Sequence, residues 1–183
     1  MCQFLSVLIL HNGDVLHHPM LDSHADLVAY FNLPDTAIAQ HFAKAELTPV
    51  DWLDPSTWIW EIDEESRPGW LNDVEQQAEA KVRAIAARMI ITEAVTPPRL
   101  IVDGCWIVGG KSIVRDVRGG RILRVQDSAQ VHDVRDSAQV HGVMDSAQVH
   151  DVRGSAQVHD VRGSAILDES ARAHLVTEKI EKK

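Results

Sequence analysis

Four consecutive nine-residue units, DSAQVHDVR, DSAQVHGVM, DSAQVHDVR and GSAQVHDVR, occupy residues 127–162. A fixed period decides architecture before local propensity does, because one such unit cannot bury its apolar side alone and must stack on its neighbours. Within a unit, Ala129 and Val131 point to one side and Gln130 to the other. His132-Asp133 forms a corner, Val134 points inward again, and Arg135-Asp136-Ser137 turns outward. Nine residues are too few to close a β-coil. Two units per coil give a flattened, two-faced roll with Ala and Val in its lumen and equivalent residues stacked about 4.8 Å apart.

The repeat can be followed beyond its clean copies. Residues 113–119 match 130–136, and Ile122 and Val125 fill the two valine slots between them, one residue short of register. Downstream, residues 169–176 (ESARAHLV) read as a worn copy of the unit. The solenoid is therefore expected over residues 99–176, after the Pro97-Pro98 boundary, as roughly four coils standing about 20 Å tall at strand spacing.

The first 98 residues carry no repeat and read as an α+β domain. Residues 2–10 form an apolar strand, and Asn12-Gly13 before Val15-Leu16 signals a hairpin with a type I′ turn. Asp22 or Ser23 caps a helix bearing Leu27, Val28 and Phe31 and closed by Pro34. Residues 35–41 are ambiguous, but 42–47 alternate like a strand that ends at Pro49. Trp58 and Trp60 share one face of a further strand. A long helix follows over about residues 70–91, with Leu71, Val74, Ala78, Val82, Ile85 and Met89 at helical spacing. The expected order is β-β-α-β-β-α. The whole reads as an α+β N-terminal domain (1–98), a parallel β-solenoid of the β-roll or β-helix kind (99–176), and a polar cap or tail (177–183) rich in Glu and Lys.

Charge separates the two parts. Residues 1–99 hold 15 acidic and 6 basic side chains, whereas residues 100–183 hold 12 of each. Neither part has the basic footprint of a nucleic-acid binder, and the balanced repeat also argues against mimicry of nucleic acid. No apolar run reaches the roughly 18 residues of a membrane span. Residues 4–10 lack the basic start and small-residue cleavage site of a secretory signal, so a cytosolic location is expected. Cys2 and Cys105 are too few for a disulfide framework and lack zinc spacing.

Several residues could carry chemistry. His132, His141, His150 and His159 share one slot, so His132 stacks over His150 and His141 over His159. Stacked imidazoles could share a transition metal, but two rings are fewer ligands than such sites use, and the plainer reading is a solvated corner residue. His17, His18, Asp22 and His24 match no standard ligand spacing. Cys2 follows the initiator Met; with Met1 removed, its thiol and α-amine would form the nucleophile and base of an N-terminal-nucleophile hydrolase, a class that includes glutamine amidotransferases. A buried strand cysteine explains the same residue. No cofactor motif is present in the sequence.

Cys2-Gln3-Phe4-Leu5-Ser6, Asn12-Gly13-Asp14, Asp22-Ser23-His24, Asp103-Gly104-Cys105 and the Ser-Ala-x-Val units together resemble uncharacterised phage and actinobacterial proteins in which a short N-terminal region precedes tandem repeats. That resemblance implies no activity; a phage origin would make the location a bacterial host's cytoplasm. The repeat also looks loosely like calcium-binding nonapeptide rolls, but it lacks the GGxGxD turn that supplies their ligands. The expectation is thus a non-catalytic interaction or assembly module, with the Cys2 enzyme as the alternative. Its surface would be the outward slots Gln130, His132, Arg135, Gln139, His141, Gln148, His150, Arg153, Gln157, His159 and Arg162. The partner would be another protein or a second copy, with homo-oligomers possible through the open C-terminal end of the solenoid.

Overall fold

The computed structural model describes residues 5–34, 41–94 and 99–176. The chain divides into two compact units, Met1–Arg88 and Met89–Lys183.

The first unit is a four-stranded antiparallel sheet in the order β2-β1-β3-β4, built from β1 (Leu5–Leu10), β2 (Val15–Leu16), β3 (Phe42–Thr48) and β4 (Ile59–Ile62). Five of the six β1 residues are buried, because both faces of the strand are covered. Helix α1 (His24–Tyr30) packs Leu27 against Leu8 and Phe42 on one face. Helix α2 (Leu71–Arg88) packs on the same strands, burying Leu71, Ala78, Val82 and Ala86 at helical spacing. Trp58, just before β4, is buried and Trp60 half-buried, while Ile59 and Glu61 at the alternate positions are exposed, the alternation expected.

Three local details depart from the sequence expectation. The hairpin turn is not type I′, since only Gly13 has a positive φ (76°). The Gly13 amide donates to Leu10 and the Leu10 amide to Asp14, a three-residue loop closed by a left-handed glycine. Helix α1 stops before Pro34 because Asn32 turns left-handed (φ 51°). The Leu33 amide then donates to Val28 and that of Asn32 to Ala29, satisfying the last carbonyls. Helix α2 ends at Arg88 rather than near 91, because Ile90 and Ile91 pair as a parallel strand, β5, whose Ile91 is buried. The solenoid therefore begins ahead of residue 99.

The second unit is that solenoid, of about four turns, made of two five-stranded parallel sheets. One sheet, called here the even sheet, contains β6 (Arg99–Ile101), β8 (Ile113–Val117), β10 (Gln130–Val134), β12 (Gln148–Val152) and β14 (Ile166–Leu167). The odd sheet contains β5 (Ile90–Ile91), β7 (Cys105–Val108), β9 (Arg121–Val125), β11 (Gln139–Val143) and β13 (Gln157–Val161). Gln130 pairs with Gln148 and Gln139 with Gln157, so one coil consumes two units. Ile113 pairs with Gln130, one residue short, as the traced repeat implied.

The lumen is filled by apolar side chains. Ala129, Val131, Val134, Ala138, Val140, Val143, Ala147, Val149 and Val158 are fully buried in one continuous cluster. The two valines of a unit lie three residues apart yet both face inward, so the chain bends at the intervening His-Asp pair.

The first residue of each unit takes a left-handed conformation: Asp127, Asp136 and Asp145 have φ of 59°, 59° and 57°, and Gly154 and Gly163 have 70° and 71°. Asp and Gly are among the residues that tolerate this region, which is why the slot alternates between them. The aspartates also tie coils together. The Asp127 carboxylate accepts from the Gly110 amide at 2.8 Å, and that of Asp145 from the Asp127 amide at 3.3 Å.

The worn copy is not a strand. Residues Glu169–Ala173 form helix α3, capped by Asp168, whose side chain accepts from the Ala171 amide. Ala171 still occupies the buried alanine slot. The chain then returns to β13, where Val158 donates to the His174 carbonyl and accepts from the Val176 amide. The edge expected to be open is thus occupied at Val158 by the chain itself. Residues 177–183 lie outside the described residues.

Candidate interaction surface

The register of the solenoid converts each outward slot of the repeat into a ladder. His132 and His150 stand with ring centroids 5.1 Å apart and planes 35° apart on the even sheet. His141 and His159 have the same separation on the odd sheet but lie closer to parallel, at 13°. The sequence placed these pairs correctly. Gln130 and Gln148 form a neighbouring row on one sheet, and Gln139 and Gln157 on the other.

Arginine and aspartate make a further ladder, and the aspartates are the members that the surface expected from sequence left out. Arg135 holds both oxygens of Asp116 in the preceding coil, and Arg118 donates to the same carboxylate at 2.9 Å. Asp116 is buried, and its bond to Arg135 is the main cause holding its carboxyl below the ordinary range, with Arg118 adding to it against the opposing effect of burial. The same bond raises the Arg135 guanidinium. Arg153 repeats the arrangement more loosely, 3.0 Å from Asp151 and 3.8 Å from Asp133. The signal for these pairs was present as Asp and Arg two residues apart in a unit that stacks.

The odd sheet breaks the charge ladder. Its middle unit carries Gly142 and Met144 where the other three clean units carry Asp and Arg, and the preceding β9 carries Arg124 and Gln126 in those slots. A Cβ at Gly142 would stand 3.0 Å from the Met144 methyl, so the thioether packs over the space an aspartate side chain would take. Arg162 pairs with Asp160 one coil further along, at 2.8 Å. The odd face therefore presents glutamine, near-parallel imidazoles and a half-buried methionine beside Arg121 and Arg124 of β9, whereas the even face presents a continuous run of paired charges.

Of the other sequence candidates, Cys2 lies outside the described residues. Cys105 is buried on β7. His17 and His18 do not join His24. Burial, aided by neighbouring His18, lowers the His17 pKa, and His18 Nδ1 accepts from the Met20 amide. No helix among the described residues is long and apolar enough to cross a membrane. No protein-family model, curated protein or solved structure matches the chain.

Proposed function

We propose that the chain is a non-catalytic assembly module that self-associates through the outer face of the odd sheet. The observation carrying this reading is the paired loss of Asp and Arg at Gly142 and Met144. It leaves an uncharged step on β11 beside the His141–His159 stack, flanked by Arg121 and Arg124 of β9 and by the Asp160–Arg162 pair of β13. Across the four clean units, the outward Gln and His are retained as strictly as the inward Ala and Val, whereas the Asp and Arg slots drift. The core places no demand on Gln and His, so a surface role accounts for their retention. A like face on a second copy would offer glutamine amides and imidazoles that both donate and accept, together with a methionine that adapts to its neighbour.

Light scattering after size exclusion tests the reading. The full chain is expected to be a dimer or larger at tens of micromolar. The double variant Gly142→Asp/Met144→Arg, which restores the charge pair, is expected to shift it towards monomer with an unchanged melting temperature. A parent that is monomeric across that range would refute self-association, and a variant that associates like the parent would move the contact to another face. Intact-mass measurement addresses the Cys2 alternative, because a retained Met1 leaves no free cysteine α-amine.

A further inference from the structure

In the first unit, three metal-ligating side chains from distant parts of the chain converge on the α1 face of the sheet. His24 opens helix α1, Glu46 lies on β3, and Asp63 follows β4. One donor atom from each lies within 4.8 Å of the other two. His24 is buried at 6% exposure and is held from both sides. The Ser23 side chain accepts from the Asp26 amide as the helix N-cap, and buried Ser6 donates to the Asp22 carbonyl at 2.9 Å, fixing the entry to α1.

The two ring nitrogens of His24 have different surroundings. Nε2 is 3.1 Å from the Ala45 carbonyl oxygen, which can only accept, so Nε2 carries a proton. Nδ1 is 3.0 Å from Asp63 Oδ2. In a neutral ring whose proton sits on Nε2, Nδ1 has a lone pair directed at a carboxylate, and Glu46 brings a second carboxylate to the same place. Two acceptors at that distance require a positive species between or beside them, either a second ring proton or a metal ion. A ring nitrogen committed to a backbone carbonyl while the other faces the ion is the usual way proteins orient a ligating histidine. The spacing is close: two ligand atoms of a tetrahedral ion, each about 2.0–2.2 Å from it, stand roughly 3.4 Å apart, so the 3.0 Å between Nδ1 and Oδ2 needs to open by only a few tenths of an ångström.

We infer that His24 Nδ1, Glu46 and Asp63 bind a first-row divalent metal ion of the zinc class. An imidazole among the donors favours such an ion over magnesium or calcium, which take oxygen ligands. Three protein donors leave a fourth position for water. The Asp63 side chain is 62% exposed, which places that position towards solvent. The ion would tie α1, β3 and the segment after β4 together.

The test uses the full chain, stripped with chelator and titrated with Zn²⁺ by calorimetry, with Co²⁺ absorption as a report on coordination. Glu46→Gln and Asp63→Asn keep the size and one acceptor oxygen of each side chain, so both variants should remain folded in EDTA and melt within a few degrees of the parent. The parent is expected to take up one zinc at this site, to gain melting temperature on doing so, and to give a low-coordinate Co²⁺ spectrum. Each variant should lose roughly 100-fold in affinity, the upper end of what even indirect partners of a metal contribute. A chain with His132, His141, His150 and His159 all changed to Gln should bind as the parent does. The inference is overturned if the stripped parent takes up no zinc, if Glu46→Gln and Asp63→Asn titrate like the parent, or if the ladder variant abolishes uptake. It also fails if nitrogen NMR shows both His24 ring nitrogens protonated in the presence of saturating zinc, which would make a proton the occupant.

Discussion

The two sheets of the solenoid are written in the same nine-residue phrase, yet they present different surfaces. Their inward slots are interchangeable: Val131 and Val149 on the even sheet and Val140 and Val158 on the odd sheet are all fully buried. Their outward slots are not. The even sheet carries the chain of charge from Asp116 through Arg135 to Asp133, Arg153 and Asp151. The odd sheet loses that chain at Gly142 and Met144 and stacks its imidazoles more nearly parallel. Stacking fixes the core once for the whole array, while each outward face can drift separately.

The largest effect should come from the slots that the sheets share. Val140→Asp on the odd sheet and Val149→Asp on the even sheet each place an unpaired charge in the lumen, at a cost of about 3–5 kcal/mol. Urea denaturation should give similar losses for both, and a variant that melts like the parent would show that its valine does not face inward.

The turns should rank next. Asp136 sits at φ 59°, so Asp136→Val forces a β-branched residue into the left-handed region at roughly 1–2 kcal/mol. Asp136→Gly makes the change that the chain itself makes at Gly154 and Gly163, and should leave the unfolding midpoint nearly unchanged. Equal losses in the two variants would mean that the carboxylate, rather than the backbone, holds that turn.

The smallest effect should be the one confined to the even sheet. Arg118 and Arg135 are 50% and 40% exposed, so solvent screens their pairing with Asp116, and Asp116→Ala should cost about 1 kcal/mol. The pH dependence has a definite sign. Asp116 is held below its ordinary value of 3.8 in the folded chain, so its contribution is complete above that value. It is lost as pH falls through the lower folded value. Stability measured from pH 6 down to 3 should therefore fall more steeply in the parent than in Asp116→Ala. Parallel curves would show that this ion pair does not contribute.

How much was legible depended on how local the cause was. The coil length, the inward Ala and Val and the stacked His132–His150 and His141–His159 pairs follow from a period that maps every slot onto its equivalent two units away. The antiparallel strands of the first unit were legible from alternation, as with Trp58 and Trp60. The Asn32 helix stop and the Gly13 turn departed from expectation because several turn geometries accept the same residues, and hydrogen bonds within each turn select among them.

Residues 90–91 and 169–173 show the limit. Ile90-Ile91 continues the helical pattern of α2, yet becomes a strand because β7 offers a parallel edge against which Ile91 is buried. ESARA continues the repeat, yet becomes a helix because Ala, Glu and Arg favour that state and Asp168 caps it, while Ala171 still plugs the lumen.

The sequence alone determined the solenoid, because a short repeat with fixed apolar slots has only one economical way to bury them. The tertiary structure alone decided how the stack ends and where His24 meets Glu46 and Asp63. Those outcomes depend on which backbone edges and side chains distant segments bring to one another, and no spacing along the chain encodes that.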